Sequence, residues 1–345
     1  MPGKPVLASG GVARVQEADC GVDELAVTSP RFSVVIPAHD AGGTIAAAIR
    51  SVQLQTVDSL EIVVVDDGSN DGTVEAVESL RRDDARLRLF RQARQGPAVA
   101  RNEAMRHASG ELVTFLDADD LLLPEYLERV GAALAGASHL GFAYTDAWVL
   151  DDATGRVRRS SAMAYRKPKD LPEDPDRLLQ LLLVRNFVFV AVTVRRSLVE
   201  QVGGWREALS PAEDYDLWLR LLAAGHGALH VAGRLAVYRR SSRSHSSDKH
   251  RLLRAQAALY QDVAEAWSVD ARSRRIARRR LAATRRWARR YDPARPRPSL
   301  RLGVSRFRTR LREPGSWLDA VPPQVEDVLA RTADPALLQT TRLPA

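Results

Sequence analysis

The chain has a single cysteine, Cys20, so neither an internal disulfide nor a cysteine-ligated metal centre can form within it. The first 30 residues hold no sustained apolar segment after a basic start, which argues against a secretory signal and sets the expectation of a cytoplasmic protein. Long hydrophobic runs are also missing. The longest, such as Asn186–Val194, are about half the ~20 residues a membrane-spanning helix needs, which leaves peripheral membrane contact open.

At 45% hydrophobic and 27% charged the composition is that of an ordinary soluble globular protein, and 345 residues suffice for one large α/β domain with an appendage or for two modest domains. The net charge of +8 is unevenly spread. Arg251–Ala345 carries 21 Arg or Lys against 9 acidic residues, a surplus of 12, which leaves the first 250 residues at −4. Basic character therefore belongs to the tail and says little about chemistry in the front half.

That front half reads as a βα array after a leader over residues 1–30. Strands are expected at Phe32–Ile36, Glu61–Val65, Leu87–Phe90 and Leu112–Leu116, alternating with helices at Thr44–Leu54, Val74–Arg82 and Pro97–Ala108. Near-continuous apolar strands of this kind indicate a mostly parallel sheet covered on both faces, whose ligands sit beyond the carboxyl ends of the strands. The polar loops Pro37–Asp40, Asp66–Asp71 and Asp117–Asp120 all occupy that edge. After Pro124 we expect a helix Glu125–Leu134, a strand Gly141–Leu150 turning at Asp151–Gly155, a helix Asp176–Val184 and a strand Phe187–Val194. A helix opened by Glu213, Asp214 and Asp216 follows, then one or two strands in Leu229–Tyr238. The helices Leu252–Trp267 and Ala271–Tyr291 come next, the second densely basic. The last 45 residues are not assigned to a fold.

Leu112–Leu116 runs straight into Asp117, Asp119 and Asp120. Residues i and i+2 of an extended chain point to the same side, so Asp117 and Asp119 can converge on one ligand. Like charges that close repel unless a cation neutralises them, and oxygen-only ligation suits Mg2+ or Mn2+.

The ordered segments FSVVIPAHD, EIVVVDDGSNDGT, QGPAVARNEAM, GELVTFLDADD and EDYDLWLRL resemble the family 2 glycosyltransferases, inverting enzymes of the GT-A fold. The resemblance covers Arg31 to about Ser246. It implies a Rossmann-like, mostly parallel sheet with a nucleotide-binding half (31–120), an acceptor-binding half (121–248) and a basic, mainly helical C-terminal extension (249–345). By the same resemblance Pro37, His39, Asp40 and Asp67 lie at the base and ribose, Gly96 and Arg101 belong to the donor site, and Asp117 faces the ribose. Asp119 holds a divalent metal, and Asp214 is the general base. The implied activity is metal-assisted sugar transfer from a nucleotide diphosphate donor, UDP-linked by preference, to a hydroxyl acceptor of a surface glycan, lipid-linked glycan or natural product. A sugar nucleotidyltransferase, or an idle nucleotide- or nucleic-acid-binding module, is the alternative.

Plainer roles compete for several residues. Asp67 serves equally well as a turn residue beside a helix cap at Ser69 or Asp71, and Asp120 reads as the acidic lead into the next helix. Asp216 and Arg220 read as an i,i+4 helix-surface pair, and Trp205 as packing beneath its loop. For Asp214, a helix start favours the ionised form a base needs. Two departures from the family pattern stand out: His39-Asp40 replaces a common Tyr-Asn, and Ser241 occupies a frequent histidine position with His245 displaced. His245 is a candidate metal ligand and Arg240 a candidate diphosphate contact, against the plainer reading of a solvated loop. For the basic tail a solvated face competes with a partner, and among partners an anionic membrane is preferred to nucleic acid.

Overall fold

The computed structural model describes residues 29–163, 171–188, 191–240, 248–293, 318 and 320–332. The leader, Cys20, Ser241 and His245 lie outside them.

Four strands build the parallel part of the sheet: β1 (Phe32–Ala38), β2 (Leu60–Asp67), β3 (Leu87–Gln92) and β4 (Leu112–Phe115). They lie in the order β3-β2-β1-β4, with Phe32 opposite both Leu60 and Leu112. The helices between them, α1 (Ile45–Gln53), α2 (Thr73–Arg81) and α3 (Pro97–His107), cover both faces. Strand alternation divides the apolar side chains. Val34, Ile36, Ile62 and Val64 pack with Ala48, Ile49, Val52 and Val77 of α1 and α2, while Val35, Val63, Val65 and Val113 pack with Ala98, Ala100 and Ala104 of α3. β1, β2 and β4 are thus apolar on both sides, as the sequence pattern required, while the edge strand β3 exposes Arg88 and Arg91.

β1 continues two residues past its expected end and contains Pro37. The pairing with β4 stops at Val35 opposite Phe115, so proline lies where that ladder has already ended. β2 likewise runs on through Asp66 and Asp67, which pair in register with Ala38 and Gln92. The strand ends are thereby lined up along one edge.

Beyond β4 come β5 (Leu121–Leu122), α4 (Tyr126–Ala135), β6 (Leu140–Asp151) and β7 (Arg156–Val157), followed by α5 (Pro175–Val184), β8 (Val192–Arg195) and α6 (Arg196–Gln201). α7 (Glu213–Ala223) and β9 (Gly227–Arg240) complete this half. β8 is antiparallel to both β4 and β6 and joins the parallel quartet to the second half, in the order β4-β8-β6-β9-β5. The expected hairpin is present, with Leu150 opposite Val157 and Gly155 at φ 64° in the turn.

Phe187–Val194 was expected as a strand; among its described residues only those in Val192–Arg195 belong to one, and residues 189–190 lie outside the described residues. Ala191 takes φ 34° and gives its carbonyl to the Tyr126 hydroxyl at 2.7 Å, which breaks the run, while Phe187 and Val188 are buried without pairing. Leu229–Tyr238 forms one long strand, with irregularities against Thr145 and Asp146 and Gly233 at φ 106°.

Two long helices, α8 (Lys249–Glu265) and α9 (Ala271–Arg290), start at Asp248 and Asp270, whose carboxylates accept from the first backbone N–H groups. Leu259, Tyr260 and Val263 of α8 and Ala277 and Leu281 of α9 belong to the same core as α5 and α7. Tyr215 donates to the Leu182 carbonyl at 2.6 Å and lies 3.3 Å from the Tyr260 hydroxyl. A final helix, α10 (Pro323–Thr332), returns to the first half. Val325, Val328 and Leu329 pack with Ala47, Leu121 and Val237, and Arg50 donates to the Thr332 carbonyl at 3.0 Å. Among the described residues no helix is long and apolar enough to cross a membrane.

Candidate active site

The loops after β1, β2 and β4 meet at the carboxyl edge of the sheet. Asp67 stands at the end of β2 and is almost fully buried. One carboxylate oxygen accepts from Gln92 Nε2 at 2.7 Å and Gln95 N–H at 2.8 Å, and the other from Gly96 N–H at 2.7 Å. Asp67 therefore ties the loop before α3 to the end of β2. Gly96, at φ 101°, is the residue before the helix.

His39 follows β1, with Nδ1 2.9 Å from the Asp67 carbonyl and Nε2 3.3 Å from the Asp40 carboxylate. Asp40 sits at φ 48° and accepts from Asn70 N–H at 3.0 Å, while its own N–H donates to Ser69 Oγ at 3.0 Å. Asp71 accepts from Gly42 N–H at 2.9 Å and from Thr73 N–H at 3.2 Å, which secures the start of α2. Pro37 lies in β1 just before this pair of loops.

The turn after β4 brings one oxygen each of Asp117, Asp119 and Asp120 within 4.8 Å of one another. Asp117 is half-exposed and Asp120 is buried. Burial and the charge of Asp117 push the Asp119 carboxyl up to about 6. Deeper burial, with Asp119 and Asp117 as neighbours, raises Asp120 well above the usual carboxylate range. Oxygen-only donors that crowd like this are relieved by a divalent cation, so the donor set fits Mg2+ or Mn2+. Asp120 is not the lead into a helix, since α4 begins only at Tyr126. Its carboxylate accepts from Arg239 N–H at 2.8 Å and locks the turn to β9.

Arg239 escaped the sequence reading, which named Arg240. It is buried, donates from Nε to the Asp119 carbonyl at 2.9 Å, and pairs with Asp152 at 3.0 Å. A signal was present: Arg239 shares the inward phase of β9 with buried Val237, while Arg240 is exposed.

The second acidic pair lies at the first turn of α7. Glu213 is buried and accepts from Arg101 at 3.0 Å. The other guanidinium nitrogen of Arg101 donates to Asp117 at 2.6 Å, so a single side chain from α3 bridges two acidic segments. The plane of Arg101 lies over Trp205, 4.6 Å from the ring centroid. Trp205 itself meets Phe115 and Trp218 edge-on at 4.8 and 5.9 Å, as expected of packing beneath the loop. Burial would lower the Arg101 pKa, yet the charges of Asp117 and Glu213 raise it. The helix start was expected to keep Asp214 ionised. Instead burial, followed by the charge of Glu213, pushes its carboxyl up to about 7 against the Tyr215 N–H that it accepts at 2.5 Å.

Asp216 is not on the helix surface. It is fully buried and held by both Arg206 and Arg220, the latter at 2.8 Å. Arg220 also donates to the Val202 and Gly204 carbonyls at 2.5 and 2.6 Å, and Arg206 reaches Asp262 of α8 at 2.7 Å. This network fixes the loop before α7. Trp218, Leu219 and Leu222 are core residues, as expected.

A parallel quartet extended by an antiparallel strand, with acidic turns at its carboxyl edge, is the architecture of nucleotide-sugar transferases of the GT-A type. The model of the family described as "Glycosyl transferase family 2" matches residues 33–203. The succinoglycan biosynthesis protein ExoU of Rhizobium meliloti (strain 1021) is 33% identical over 239 residues, 66% of this chain and 68% of that protein. The Escherichia coli UDP-Glc:alpha-D-GlcNAc-diphosphoundecaprenol beta-1,3-glucosyltransferase WfgD is 29% identical over 237 residues, 68% of this chain and 86% of that protein. The chain belongs to glycosyl transferase family 2. Of three further relatives it spans only 62%, 31% and 18% of their length. Among solved structures, the mannosyltransferase PcManGT from Pyrobaculum calidifontis, in complex with GDP-Man and Mn2+, superposes with a TM-score of 0.57 at 19% identity. The match covers 91% of this chain and 84% of that one, and shows the shared GT-A fold.

Proposed function

We propose that this chain is an inverting glycosyltransferase that moves a sugar from a nucleotide diphosphate donor to a hydroxyl of a lipid-linked glycan. The observation that carries this reading is the Arg101 bridge. It joins Asp117 to Glu213, a residue 112 positions away, and so brings the acidic turn and the Glu213-Asp214 pair to one crevice. A donor-side acid cluster facing a separate carboxylate near neutral pKa is what single-displacement transfer requires.

In this reading the loops at Pro37, His39, Asp40, Asp67 and Gly96 receive the nucleotide, with Asp67 shaping the pocket through the loop it holds. Asp117 and Arg101 bound the ribose and diphosphate side. Asp119, supported by Asp120 and Arg239, holds the divalent cation, Mn2+ or Mg2+, which when bound offsets the charge left on the departing diphosphate. The ionised Asp214 carboxylate takes the proton of the acceptor hydroxyl. The freed oxygen bonds to the anomeric carbon as the bond from that carbon to the diphosphate oxygen breaks, and the nucleoside diphosphate leaves from the opposite face. One displacement inverts the centre.

A UDP-linked donor is favoured by the name of the WfgD relative, and an acceptor on a diphospholipid by the same name. Such an acceptor is met at a membrane surface, which suits a cytoplasmic enzyme in peripheral contact with the inner face. The nucleotide half (31–120), the acceptor half (121–248) and the basic C-terminal region (249–345) divide the work accordingly. Against nucleotidyl transfer, the Pro37–Gly43 loop carries no Lys or Arg to grip a triphosphate.

The test is a panel of UDP-, GDP- and TDP-sugars with Mn2+, with Mg2+ and with neither, scored by thermal stabilisation and by the released product. Nucleoside diphosphate release that depends on metal is expected. Formation of nucleoside triphosphate and sugar 1-phosphate when pyrophosphate is supplied, without nucleoside diphosphate release, overturns the reading in favour of nucleotidyl transfer.

A further inference from the structure

The basic helix α9 carries ten arginines in twenty residues, most of them away from the core. Its inner side is occupied, since Ser273, Ala277, Leu281 and Thr284 are buried. At 3.6 residues per turn Arg275, Arg279 and Arg286 fall within about 40° of one another on the opposite side, and eight of the ten arginines are exposed. Among the described residues Arg275, Arg278, Arg279 and Arg286 have no carboxylate partner. A helix of this length extends about 30 Å. At its end Trp287 and Tyr291 are 50% and 42% exposed although both are large aromatics. They stack with centroids 6.4 Å apart, with Arg290 and Lys249 over their faces at 5.6 and 5.4 Å.

We infer that this face of α9 docks flat on an anionic lipid surface, with the arginines against the headgroups and Trp287, about 100° round the helix from Arg286, at the flank of the contact. Exposed guanidinium groups without a carboxylate partner, spread along the helix, complement a surface of anionic headgroups. The apolar residues of α9 are already committed to the core, so the helix does not insert. Binding is electrostatic.

The platform is rigid with respect to the proposed acceptor side. Arg206 pairs with Asp262 on α8, against which α9 packs, and the same guanidinium grips Asp216, two residues beyond Asp214. Docking α9 therefore fixes how the helix that carries Asp214 is held relative to the surface. This deepens the proposed function and rests on it only for the nature of the acceptor, since lipid binding is measured with neither donor nor acceptor.

The experiment is co-sedimentation of the full chain with phosphatidylcholine vesicles, with and without phosphatidylglycerol, at low and at physiological salt. Binding to the anionic vesicles alone, weakened by salt, is expected. Each surface arginine strengthens such binding about fivefold, so replacing Arg275, Arg278, Arg279 and Arg286 together by Gln should weaken it on the order of several hundredfold. The same four positions changed to Lys should bind as wild type, and the Gln variant should keep the wild-type melting curve and its donor-induced stabilisation. Equal binding to neutral and anionic vesicles, wild-type binding by the Gln variant, or displacement from anionic vesicles by an equal charge of duplex RNA would each overturn the inference.

Discussion

Replacing Glu213 by Gln should move the pH dependence of transfer toward acid. The Asp214 carboxyl is held up to about 7 by burial first and by the Glu213 charge second. Arg101, which pairs with Glu213, and Asp117, which shares that arginine, are the other charges facing it. Two unit charges about 7 Å apart at an effective dielectric near 20 interact by about 2.4 kcal/mol, or about 1.7 pH units. Neutralising Glu213 removes that repulsion and leaves Arg101 freer to favour ionised Asp214, so both changes act in the same direction. Burial remains, and a shift of about one to two units is expected rather than a return to the usual carboxylate value. The profile of kcat/KM reports the free enzyme's groups and rises about tenfold per pH unit below the base's pKa. It should be recorded at saturating Mn2+, which keeps Asp119 ionised. The wild-type limb should then break near 7 and the Glu213→Gln limb below it. An unchanged limb, or one displaced to higher pH, would refute the assignment of Asp214 as the base and of Glu213 as the group that sets its pKa.

Asp214→Asn should lose about 10²- to 10⁴-fold in transfer while nucleotide-sugar binding, followed by thermal stabilisation, stays at the wild-type level. Asp119→Ala should abolish the Mn2+-dependent part of that stabilisation, and an unaltered metal response would remove Asp119 from the cation site. Arg239→Met should weaken Mn2+ affinity by about 10- to 100-fold in calorimetry, because the side chain that holds the Asp119 carbonyl and Asp152 is lost. Arg220→Leu leaves the buried Asp216 carboxylate with Arg206 alone and frees the Val202 and Gly204 carbonyls, at a cost of about 1–3 kcal/mol in chemical denaturation.

The βα array was readable because a strand covered on both faces must be apolar at successive positions, and Ile62–Val65 or Val34–Ile36 admit no other use in an otherwise polar chain. Boundaries were less legible. Whether Pro37 ends a strand depends on where β4 stops, and whether Phe187–Val194 is extended depends on the φ of Ala191 and the hydroxyl of Tyr126, neither of which is a local property. Ala277 and Leu281 of α9 could not be separated from their arginine neighbours as core residues until α5 and α8 were in place to receive them.

The candidate site divides in the same way. Asp117 and Asp119 announced themselves, since alternating carboxylates at a strand end have no packing use and the i, i+2 spacing sets their direction. The sequence by itself thus determined the parallel part of the sheet, the acidic turn at its carboxyl edge and the family. Only the tertiary structure decided how charge is shared across that edge. Arg101 and Glu213 are 112 residues apart, and a partner at such separation leaves no periodic trace. Asp120 and Asp216 looked like surface acids because charge in a sequence carries no measure of depth. Burial and hydrogen bonding, which fix whether a carboxylate is a ligand, a base or a structural anchor, exist only once distant segments have packed.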